Sequence, residues 1–112
     1  MSERNRHASE LRSSLRGHTL LTSLVAHGYL SPGDQLVYHQ PRLHKAYRCR
    51  ITDDHALLVE HLGVPFRSPS TAARASAGGK GRNGLTDWCK VSDGTSLWDL
   101  REQLILKLVA EH

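Results

Sequence analysis

A chain of 112 residues with 38% hydrophobic and 5% aromatic content is sized for one domain with a small core and considerable surface loop. No apolar run approaches the length that spans a bilayer, and residues 1–7 lead into no apolar signal core, so the expectation is an intracellular, cytoplasmic protein, nucleoid-associated if bacterial. The formal net charge of +4 is concentrated in the middle, where nine Lys or Arg stand against four acids between Arg42 and Lys90. A basic centre is either a face for a polyanion, nucleic acid above all, or a solvated face.

In chain order, residues 1–18 read as a polar arm or frayed helix with one apolar pair, Leu11 and Leu15, and residues 19–112 as a single domain. Thr19 can cap a helix whose stripe is Leu20, Leu21, Leu24 and Val25, with Gly28 as its stop. Tyr29 and Leu30 pack back on its end, and Ser31-Pro32-Gly33-Asp34 turns into a sheet. Alternation then predicts strands over 35–39, 45–52 and 56–60, followed by Val64-Pro65-Phe66. Tyr47, Cys49 and Ile51 share one face of this antiparallel meander, while Arg48 and Arg50 share the other, where they suit phosphate contact and solubility equally.

Ser68 is a good N-cap and Pro69 suits the first helical position, so a short helix of about two turns starts here, with an alanine-rich body and a stop at Gly78-Gly79. Lys80-Gly81-Arg82-Asn83-Gly84 reads as a mobile loop with two cations and no apolar anchor. A last strand covers 87–91, and Trp88 on it is either a packing residue or a stacking platform for a base. Ser96 with Asp99 has capping-box spacing, and a closing helix over 97–110 aligns Leu97, Leu100, Leu104 and Leu108, widened by Ile105 and Val109. That breadth leaves two options: the face docks on its own sheet, or a homodimer forms through the helix carrying Leu97 and Val109. The fold class is α+β, a small antiparallel meander packed against an N-terminal helix, the short helix after Ser68 and a C-terminal helix.

No constellation for catalysis emerges. The eight histidines show no ligand spacing on any expected helix, Cys49 and Cys89 belong to no metal or redox motif, and Ser68 and Ser70 sit in no nucleophile elbow. The two cysteines are reduced and buried or joined between strands. The expectation is a binding module without enzymatic activity, cofactor or metal. A helix N-terminus at Ser68 and Ser70 offers an anion site if it is open; Arg67, Arg74, Lys80 and Arg82 add phosphate contacts, and the Asn83 amide can pair with an adenine edge.

The run Phe-Arg-Ser-Pro-Ser-Thr-Ala-Ala-Arg-Ala, the glycine-rich loop with Asn83-Gly84, then Trp88, Ser92-Asp93-Gly94 and Ser96-Leu97-Trp98-Asp99-Leu100-Arg101, resembles the RAMA domain (restriction enzyme adenine methylase associated). Leu24-Val25-Ala26-His27-Gly28-Tyr29-Leu30-Ser31-Pro32-Gly33-Asp34 resembles the opening helix and turn of that family. The resemblance implies a DNA-binding module, in some members a reader of N6-methyladenine. The DNA-binding surface read from the residues themselves comprises Arg48, Arg50, Arg67, Ser68, Ser70, Arg74, Lys80, Arg82, Asn83 and Trp88. The chain departs from the pattern where Leu85 replaces a tryptophan and Asp87 an aromatic. An interaction or dimerisation module working through the C-terminal helix is the alternative.

Overall fold

A computed structural model describes residues 3–78 and 83–111. Among them are five α-helices, α1 (Glu3–Ser14), α2 (Gly17–Ala26), α3 (Pro69–Ala77), α4 (Gly84–Asp87) and α5 (Leu97–Glu111). Five strands, β1 (Gln35–Gln40), β2 (Lys45–Ile51), β3 (Leu57–Val59), β4 (Val64–Phe66) and β5 (Cys89–Lys90), make one antiparallel sheet in the order β4-β3-β2-β1-β5. This is the expected α+β class.

The sheet is two-sided because its residues alternate. Leu36 lies opposite Cys49, Tyr38 opposite Tyr47, and Ile51 opposite Leu57. These side chains belong to one core cluster with Leu20, Leu21 and Leu24 of α2, Ala72 and Ala73 of α3, and Leu97, Leu100, Leu104 and Ile105 of α5. The helices therefore cover one face of the sheet. The other face presents Arg48 and Arg50, both exposed, with Gln35 and Leu58 on either side of Arg50 in the ladder.

The first helix is formed and docked rather than frayed. Ala8 and Leu11 pack against the core and Leu15 is buried. Arg12 grips Glu102 of α5 at 2.8 Å. This docking accounts for the wide apolar face of α5: Ile105 is 1% exposed, and Val109 is partly buried. Leu106 is left out at 71% exposure.

Two expected boundaries move. Thr19 lies inside α2, whose N-cap is Arg16 with no side-chain bond. At the other end the stop falls where expected, with Gly28 at φ 83 and the Tyr29 and Leu30 amides both donating to the Leu24 carbonyl at 2.9 and 3.2 Å. The expected last strand shrinks to Cys89–Lys90, because Asp87 ends α4. Cys89 pairs with Val37, and Cys49 with Leu36, one residue out of phase, so the thiols point to opposite faces of the sheet and both are free. The inter-strand disulfide option falls for that reason.

Candidate nucleic-acid interface

The starts of α3 and α4, with Trp88 after them, form a clamp. Ser68 has extended backbone angles and its Oγ accepts from the Thr71 amide at 3.5 Å, the expected N-cap of α3. Two residues on, the Ser70 Oγ accepts from the Gly84 amide at 3.2 Å. Gly84 is buried, and a Cβ there would stand 2.2 Å from the Pro69 carbonyl carbon and 2.3 Å from the Ser70 nitrogen. Only glycine lets the two backbones approach this closely.

Asn83 completes the clamp. Its Oδ1 accepts from the Leu85 amide at 3.1 Å and so caps α4, a helix whose first residue the sequence assigned to a loop and whose last to a strand. The four-residue length of α4 explains the miss, since no apolar periodicity fits into one turn. Trp88 follows at full burial, with its Nε1 donating to the Pro69 carbonyl at 3.1 Å and its ring edge-on to Tyr38 at 5.8 Å.

Several sequence-assigned binding residues therefore have structural work. Trp88 is corrected from a stacking platform to a core residue, since a ring with 0% exposure offers no face to a base. The α3 N-terminus is not an open anion site, because Pro69 is buried and Gly84 is pressed against its first turn. Ser68 and Ser70 spend their hydroxyls on backbone amides, and the Asn83 amide oxygen caps α4, so its role as an adenine reader is displaced.

The arginines remain outside. Arg48, Arg50, Arg67 and Arg74 are all exposed. The salt bridges among the described residues involve only Arg12, Arg101 and Glu102. Arg67 lies near enough to Asp54 to help hold its carboxyl below the usual range, after the larger effect of the Thr52 hydroxyl. Arg74 reaches the Thr71 Oγ1 at 3.5 Å. Arg48 and Arg50 sit on the open sheet face, Arg67 directly after β4, and Arg74 on α3. Lys80 and Arg82 lie outside the described residues.

Sequence reasoning missed a cleft at the far end of β1, lined by Tyr38, Gln40, Arg42 and Asp87 among others. The alternation that put Tyr47 on the core face would also have put Tyr38 and Gln40 there, once the β1 to β2 register was known. No group of three or more His, Cys, Asp or Glu among the described residues could hold a metal ion. No helix among them is long and apolar enough to cross a membrane.

Together these features define a small α+β domain with a glycine-locked helix pair and four exposed arginines. The chain belongs to the RAMA family, Restriction Enzyme Adenine Methylase Associated, whose model matches residues 2–110 and so takes in α1. It matches no curated protein at a significant level.

Proposed function

We propose that this domain is a non-catalytic DNA-binding module that serves restriction-modification or chromosome functions and reads N6-methyladenine. The observation that carries the reading is the set of four exposed arginines, Arg48, Arg50, Arg67 and Arg74, without a salt-bridge partner among the described residues. Cations outside salt bridges are available to phosphate, and phosphate contact supplies most non-specific affinity. The family's link to adenine methylases adds the modified base to the proposal.

Arg48 and Arg50 lie on β2, Arg67 directly follows β4, and Arg74 lies on α3. A titration against a labelled duplex, with and without N6-methyladenine and at two salt concentrations, tests the reading. Binding should weaken steeply with salt, with a log–log slope of about −0.9 per phosphate neutralised. Reversal to Glu of Arg48 with Arg50, and separately of Arg67 with Arg74, identifies the working side; if neither reversal weakens binding, the arginines are solubilising charge.

A second reading rests on Leu106, 71% exposed on α5, and Trp98, 38% exposed on the same helix. It makes α5 a surface for a protein partner or a homodimer. Light scattering that shows a monomer at high concentration removes the dimer.

A further inference from the structure

The cleft beyond β1 has a volume of about 640 Å³, the size range of small-molecule sites. Tyr38 and Gln40, two residues apart, share the core-side face of β1, and the Gln40 Nε2 donates to the Tyr38 hydroxyl at a long 3.3 Å. The Gln40 Oε1 is buried and accepts no hydrogen bond from the described residues. Buried amide oxygens nearly always have a donor, so this acceptor is a vacancy in the bonding of the cleft wall. Asp87 brings a carboxylate to the same cleft, Pro41 and Leu43 give it apolar sides, and Leu43 is 59% exposed. Arg42 stands exposed among the lining residues.

The wall thus offers one acceptor, the Gln40 Oε1, with an amide donor beside it, and that pattern selects its ligand. We infer that the cleft receives a nucleobase carrying an exocyclic amino group, adenine above all, and that Gln40 reads its edge. Oε1 accepts the amino hydrogen while Nε2 turns from Tyr38 to the neighbouring ring nitrogen, the bidentate pairing of an amide side chain with adenine. Guanine presents two acceptors on that edge and would set its O6 against Oε1. Methylation at N6 leaves one amino hydrogen, so the modified base still satisfies the acceptor. A base enters such a cleft only out of the stack, from a single strand or by extrusion, with Arg42 placed to meet its phosphate.

This inference deepens the DNA-binding reading, and it can be tested apart from it. Isotope-labelled protein is titrated with adenosine and, in parallel, with inosine, the same ring system with a carbonyl in place of the amino group. Adenosine should shift the Gln40 side-chain amide and the His39 and Leu43 backbone amides, with half-saturation about tenfold or more below that of inosine. Gln40→Leu should erase that preference, and Gln40→Glu, which keeps an acceptor, should retain adenosine binding. Equal response to the two nucleosides, shifts elsewhere only, or no shift at millimolar nucleoside overturns the assignment. Protein that separates adenosine from inosine at Gln40 but binds no duplex keeps the cleft and loses the DNA reading; duplex binding without nucleoside discrimination does the reverse.

Discussion

The indole Nε1 of Trp88 donates to the carbonyl oxygen of Pro69 at 3.1 Å, across 19 residues of chain. Both partners are buried, so the bond is shielded from water, and it ties the strand side of the core to the first turn of α3. Trp88→Phe keeps most of the ring and removes the donor, leaving the Pro69 carbonyl without this donor. The expected loss is about 2–4 kcal/mol, from the smaller ring and the lost bond together, read as a lower urea midpoint at unchanged slope.

Gly84→Ala tests the close approach. The added Cβ meets backbone atoms, which cannot swing aside as a side chain would, so the cost should reach about 3 kcal/mol, the upper end of overpacking. Gly28→Ala is the contrast, with open space around the new methyl group but φ at +83, and should cost about 1–2 kcal/mol from backbone strain alone. Chemical denaturation of both variants ranks them; a Gly84→Ala protein as stable as the wild type would remove the clamp as an explanation of that glycine.

The Arg12 to Glu102 pair gives a pH signature. The hydrogen bond from Arg12, reinforced by its charge, holds the Glu102 carboxyl below the ordinary glutamate range. A depressed carboxyl contributes stability above its unfolded value and loses it as pH falls through the folded one. Glu102→Gln should therefore be slightly less stable than wild type at neutral pH, by a margin that shrinks with added salt. The margin should close below about pH 4.3, the ordinary glutamate value. Thermal melts across that range at two ionic strengths check it.

The thiols should react in a fixed order. Burial pushes the Cys49 thiol far up, and Cys89, less buried, is raised less. Because the thiolate is the reactive form, a thiol reagent at neutral pH should label Cys89 first and reach Cys49 only on unfolding. Mass spectrometry of partially labelled protein reads the order, and no disulfide should form on oxidation of the folded monomer.

Much of this architecture was legible because burial imposes a period. The alternation of Tyr47, Cys49 and Ile51 with Arg48 and Arg50 placed β2 and its two faces correctly, and Ser68 with Pro69 marked the start of α3. What escaped is non-local. Trp88 in the sequence is a large aromatic that fits a surface stack as well as a core, and only the approach of Pro69 decides between them. Asn83 and Gly84 carry the composition of a loop, and their role as a cap and a contact point depends on a partner helix that begins at Pro69. The cleft at Gln40 was hidden for a similar reason, since one of its walls comes from β1 and another from α4.

The bond between Ser70 and Gly84 has a consequence for the chain between them. It fastens positions 14 apart in the chain, and the span it closes carries the buried Ala72 and Ala73 of α3. The starts of α3 and α4 are thus fastened to each other, and a change at Ser70 or Gly84 is felt by both helices.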